Sequence, residues 1–167
     1  IDKYIGDCIV AFWNAPLEQP DHARLAVKAA LLCRSRLSKL RPRMHGMFNI
    51  EVEARTGIAT GPVLIGNMGS RQRFDYSFIG DTGNLASRIE GVNKAFGTYL
   101  LIDEETHKQL DGAFPVREIA SVQVVGRNQP VRIYEPMTAE DYHDREKIIS
   151  VFQKGLALFY AGKFKEA

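Results

Sequence analysis

An α/β sandwich with a mainly antiparallel sheet is the fold that this sequence predicts, on three observations. Strand-like stretches recur along the chain, at 50–60, 74–80, 99–102 and 131–135. Two long helical patterns lie among them, at 21–40 and 82–96. Glycine-bearing turns follow or separate strands at Gly6-Asp7, Gly61-Pro62 and Gly126 to Pro130. Strands interleaved with amphipathic helices bury one face of each element in a layered core.

Residues 2–13, DKYIGDCIVAFW, read as two short strands about the Gly6-Asp7 turn, with Ile5, Ile9 and Val10 supplying β-branched character. Asn14 to Pro20 is a loop with two prolines. From Asp21 to Leu40 the pattern is helical, with Leu25, Ala29, Leu32 and Cys33 along one face and Asp21 as N-cap. Arg41-Pro42-Arg43 is expected to end that helix. IEVEARTGIAT at 50–60 alternates like a half-buried strand, and VLIGNMG and FDYSFIG are two more. Thr82 opens a second helix through Phe96, closed by Gly97, with the stripe Leu85, Ile89, Val92 and Phe96. YLLI at 99–102 is a strand, after which Asp103 caps a short helix through Leu110. Further strands are expected around 121–126 and at 131–135.

Residues 139–160 read as a long helix with Ile148, Val151, Phe152, Leu156 and Phe159 on one side. The spacing Gly155-x6-Gly162-x-Phe164-x2-Ala167 occurs in the first half of a tetratricopeptide repeat, and also fits a plain terminal helix with a glycine cap. The expected division is a main domain at 1–137 and a helical extension at 138–167.

The 167 residues suffice for one buried core. Interspersed charges, 22 basic and 20 acidic, leave no stripe for nucleic acid. Cys8 and Cys33 have no metal-type spacing and read as reduced thiols of a cytoplasmic protein. No apolar run approaches the roughly 20 residues of a membrane span.

Three constellations carry possible chemistry. Asp7, at a turn with a fixed backbone, suits a hard cation, although Gly-Asp turns also arise for conformational reasons alone. Asn84 and Arg88, four apart, project from one helix face. An amide and a guanidinium there suit ribose orientation and stabilisation of a transferring phosphate; a solvated helix face is the plainer alternative. Arg127, in the Gly126-Arg127-Asn128 turn, reaches either a phosphate or solvent.

Taken in order, DKYIGDCIVAFWNAP, GIATGPVLIGNMGS, FDYSFIGDTGNLASRIEGVNKAFGTYLLI and GRNQPVRIYE resemble the signature segments of class III adenylate/guanylate cyclases, over roughly residues 1–136. The resemblance implies a ferredoxin-like core whose first strand and first helices lie before Ile1. It implies a homodimer with active sites at the interface, and two divalent cations, magnesium or manganese, as cofactors. Asp7 matches the second of two metal-binding aspartates; the first falls before Ile1, so this chain alone is expected to be inactive. Lys3 matches the adenine-reading lysine and Ser77 its partner, Asn84 the ribose-orienting asparagine, and Arg88 the transition-state arginine. Guanylate cyclases pair glutamate and a small residue where Lys3 and Ser77 stand, so the pair favours ATP. Val125 departs from a phosphate-contacting lysine, with Arg127 as substitute; Gly83 departs from a small aliphatic residue. The resemblance is to bacterial enzymes that join such a domain to an extracytoplasmic sensor through membrane helices. The competing expectations are a catalytically silent regulatory or dimerisation module and a diguanylate-cyclase or polymerase-like palm. The palm reading lacks its Gly-Gly-acidic hairpin.

Overall fold

The computed structural model describes residues 1–70, 72, 74–124 and 129–167. Strands β1 (Lys3–Ile5) and β2 (Cys8–Val10) form an antiparallel hairpin in which Ile5 faces Cys8 across the two-residue Gly6-Asp7 loop. Gly6 has φ of 61°, the left-handed conformation that glycine adopts without a steric cost. Helix α1 (His22–Phe48) follows, then β3 (Thr56–Ile58), the hairpin of β4 (Leu64–Gly69) and β5 (Phe74–Ile79), and helix α2 (Asp81–Phe96). Strand β6 (Leu100–Asp103), helix α3 (Glu104–Leu110), strands β7 (Val116–Val122) and β8 (Val131–Pro136), and helix α4 (Ala139–Tyr160) complete the order.

The central sheet runs β3-β6-β8-β7. Strands β3 and β6 are parallel; the other two pairings are antiparallel, as the mainly antiparallel prediction requires. Side chains alternate across this sheet. Leu101 and Ile133 pack with Leu85 and Ile89 of α2 on one face. Ile102 and Tyr134 pack with Ala23 and Val27 of α1 and Leu110 of α3 on the other. Helices on both faces give the α/β sandwich. Full burial of each large side chain contributes about 1.5–3 kcal/mol.

Local signals placed several ends correctly. Gly97 closes α2 in the left-handed conformation, with φ of 62°. The Asp103 carboxylate accepts from Thr106 N–H at 2.9 Å and caps α3. Thr138 Oγ1 accepts from Asp141 N–H at 3.0 Å and opens α4.

Other expectations need correction. Helix α1 continues through Pro42 to Phe48. Proline removes one hydrogen bond, to the Ser38 carbonyl, but contacts beyond it hold the last turns. Arg41 Nε donates to the Val52 carbonyl at 2.9 Å, His45 pairs with Glu51 at 3.2 Å, and Asn49 caps the end with φ of 52°. The buried face of α1 is Ala23, Ala26 and Val27, while Leu32 and Cys33 are exposed. Asp21 stands at the N-cap without a side-chain cap bond. In α2, Phe96 is exposed and Asn93 is buried instead. Strand β3 is confined to 56–58. Strand β7 begins at Val116, because Arg117 lies opposite Glu135 of β8 and a bulge between Glu118 and Ala120 carries the pairing on. Helix α4 docks through Ile149 and Gln153 while Ile148 and Val151 stay exposed.

Candidate functional site

Lys3 and Ser77, 74 residues apart, meet in the fold: Lys3 Nζ donates to Ser77 Oγ at 3.1 Å. Lys3 projects from β1 and Ser77 from β5, so the contact joins the two hairpins. Phe12, just past β2, supports it by resting on Tyr76 and Phe78 of β5, with ring centroids 6.1 and 5.7 Å apart. Ser77 is 4% exposed, whereas the Lys3 side chain is half exposed. A hydroxyl with acceptor capacity and an ammonium with free N–H donors therefore stand side by side at the mouth of the contact. Asp2 adds a negative charge, its Oδ2 lying 3.3 Å from Lys3 Nζ.

Asn84 and Arg88 lie one turn apart on α2. Asn84 is exposed. Arg88 is partly buried; its Nη1 is removed from solvent, makes no hydrogen bond among the described residues, and lies 3.8 Å from Asp81 Oδ1. A shielded guanidinium nitrogen without an acceptor is a ready donor for an anion. The helix start that carries both residues sits tightly on β5. A β-carbon on Gly83 would strike the Phe78 ring, so the glycine that departs from the expected small aliphatic residue is what admits that ring.

Asp7 occupies the exposed tip of the β1–β2 hairpin. It is four residues from Lys3, at most about 13 Å along an extended strand. Among the described residues, no three His, Cys, Asp or Glu side chains converge as a metal site. Asp7 nevertheless fits a hard cation as a single anchor. Magnesium takes one or two carboxylates and completes its shell with water and phosphate oxygens. Val125 and Arg127 lie outside the described residues.

A depression of about 520 Å³ lies elsewhere, between α3 and the start of β8, with Asp103, Glu105, Lys108 and Pro130 among its walls. Burial pushes the Asp103 carboxyl up despite the N–H donors of Thr106 and Thr60. Asp103 is committed to capping α3, which argues for a structural role.

Three contributors escaped the sequence reading. Asn93 is fully buried; its Nδ2 donates to the Thr56 carbonyl at 3.0 Å and its Oδ1 accepts from Thr98 Oγ1 at 2.9 Å, fastening α2 to β3. No local signal separates such an asparagine from a solvated one. Phe78 and Asp2 were also missed, although Asp2 adjoins Lys3.

Comparison with known proteins gives a consistent picture. Residues 3–136 match the family model described as the adenylate and guanylate cyclase catalytic domain. The chain is 34% identical over 135 residues to adenylate cyclase 1 of Rhizobium meliloti (strain 1021), covering 81% of this chain and 20% of that protein. The structure of the adenylyl cyclase CyaB from P. aeruginosa superposes with a TM-score of 0.74 at 32% identity, covering 83% of this chain and 71% of that one. The guanylyl cyclase Cya2 follows at 0.73 and 30% identity, covering 82% and 68%. This chain spans only 8 to 27% of the length of the first curated relatives. Among the described residues, no helix is long and apolar enough to cross a membrane.

Proposed function

Because the chain belongs to the class III adenylate/guanylate cyclase catalytic domain family, we propose that it is the nucleotide-reading part of an adenylate cyclase, which converts ATP into 3′,5′-cyclic AMP and pyrophosphate. The observation that carries this reading is the 3.1 Å contact between Lys3 and Ser77. Adenine offers a ring-nitrogen acceptor beside an amino donor. The lysine donates to the first and the serine hydroxyl accepts from the second.

Asn84 orients the ribose, which brings its 3′-hydroxyl in line with the α-phosphate. Arg88 then neutralises charge that grows on the phosphate as the 3′-oxygen bonds to it and pyrophosphate departs. The shielded Nη1, without a hydrogen-bond partner among the described residues, supports that assignment. Asp7 would hold a divalent cation, magnesium or manganese, in a two-cation arrangement. When bound, such cations polarise the phosphates and activate the attacking hydroxyl. Arg127 is assigned to the triphosphate by resemblance alone.

The active unit is a homodimer. Both hairpins expose large apolar side chains, among them Tyr4, Ile5 and Ile9 on one and Leu64, Phe74 and Ile79 on the other. Patches of this kind mark interaction surfaces. A second copy would cover them and bring the Asp7 of one subunit to the Lys3–Ser77 pair of the other.

GTP is the second substrate to weigh, given the comparable likeness to the guanylyl cyclase Cya2. Cyclase assays of the full-length protein test the reading. Asp7→Ala should abolish product and Asn84→Ala should lower turnover. Full activity in both variants would refute the assigned chemistry.

A further inference from the structure

Asp2 is a buried acid that the proposed reaction does not use. Its side chain is 2% exposed, and Oδ2 makes no hydrogen bond among the described residues. A carboxylate withdrawn from water costs free energy unless a partner compensates it. The partner at hand is Lys3, whose Nζ stands 3.3 Å from Oδ2 while donating to Ser77 Oγ at 3.1 Å. Asp2 itself is held at the backbone, since its N–H donates to the Val10 carbonyl at 2.8 Å beside the end of the β1–β2 ladder. The ammonium therefore sits between two anchored oxygens.

A lysine carries three N–H donors on a flexible four-carbon stem. The hydrogen bond to Ser77 Oγ and the charge attraction of Asp2 Oδ2 remove much of that freedom and orient the donors that Ser77 leaves free. We propose that Asp2 is a positioning residue that sets base selectivity, by pinning Lys3 where its free N–H meets a ring-nitrogen acceptor. Adenine presents an acceptor at N1 and a donor at its 6-amino group; guanine reverses both. A lysine free to swing reaches the guanine O6 as readily as the adenine N1. A lysine held by Asp2 and Ser77 confronts the guanine N1–H donor to donor, which rejects GTP. The inference rests on the adenine-reading role of Lys3 and Ser77.

The test is the ratio of kcat/KM for ATP to that for GTP in the full-length protein, for Asp2→Asn, Asp2→Glu, Lys3→Ala, Ser77→Ala and the Asp2→Asn/Lys3→Ala double variant. Asp2→Asn is expected to lower the ratio about three- to tenfold, mainly through better use of GTP. Asp2→Glu retains most of the ratio, and Asp2→Asn adds nothing once Lys3 is alanine. Should Asp2→Asn fail to fold, Asp2→Ser carries the same expectation with a smaller side chain. Equal losses for both nucleotides would assign Asp2 a merely structural role and overturn the inference. An unchanged ratio in Asp2→Asn beside a shifted one in Lys3→Ala would overturn it while leaving the base-reading pair intact. Unchanged ratios in every variant would overturn both.

Discussion

A β-carbon on Gly57 would collide with the Ala86 carbonyl oxygen, so strand β3 and helix α2 meet backbone to backbone. Glu90 N–H backs the same point from the next turn. The helix that carries Asn84 and Arg88 is thereby set at one height on the sheet, and Asn93 locks its far end through Thr56 and Thr98.

Gly57→Ala should therefore destabilise the domain by about 1–3 kcal/mol, the usual cost of overpacking, because only backbone is available to yield. Gly91→Ala is the control. It lies within the same helix with open space where its β-carbon would go, and should stabilise by about 0.5–1 kcal/mol. Urea unfolding of both variants checks the contrast; equal effects would mean that the close approach does not exist in solution.

Asn93→Leu keeps the branching of the side chain but strands the Thr98 hydroxyl and removes the side-chain donor that ties α2 to the Thr56 carbonyl. A loss of about 1–3 kcal/mol is expected from the buried Thr98 hydroxyl left without its partner and the lost tie to β3. Thermal unfolding at fixed pH measures it. A melting temperature within a degree of wild type would contradict the clamp.

Tyr160 gives a pH signature. Burial, then its hydrogen bond to Glu118, pushes the phenol up to about 12 from the ordinary value of 10. The folded state thus keeps a proton that the unfolded chain has already released. This contribution is complete below pH 10 and is lost as pH rises from 10 towards 12. Tyr160→Phe should flatten that part of the alkaline decline, read from denaturation midpoints between pH 9 and 11.5. An identical decline in the variant would show that another group is responsible.

Arg88→Ala in the full-length protein should lower kcat about 100-fold or more with little change in KM for ATP, because the guanidinium acts on charge that appears only in the transition state. A raised KM with unchanged kcat would reassign Arg88 to ground-state binding.

Where chain chemistry is local, the sequence was a reliable guide. The Gly6-Asp7 hairpin, the Gly97 stop and the Asp103 cap each follow from one residue's conformational or hydrogen-bonding preference, and each stands where expected. Where distant contacts decide, it was not. Pro42 should end α1, yet Arg41 and His45 find partners at Val52 and Glu51. Apolar periodicity in α4 pointed to Ile148 and Val151, but the docking face is set by Gln153 bonding the Glu118 carbonyl and Tyr160 bonding its carboxylate. The candidate site divides in the same way. Resemblance singled out Lys3 and Ser77, and the fold brings them into contact, whereas no pattern in the sequence announces that Asp2 is buried against Lys3.

The central claim, that Lys3 and Ser77 read adenine, is tested most directly by incubating the full-length protein with equimolar ATP and GTP and quantifying both cyclic products. Cyclic AMP should predominate in wild type, and the excess should shrink in Lys3→Ala and Ser77→Ala. Predominant cyclic GMP, or a product ratio that neither substitution alters, would contradict the account.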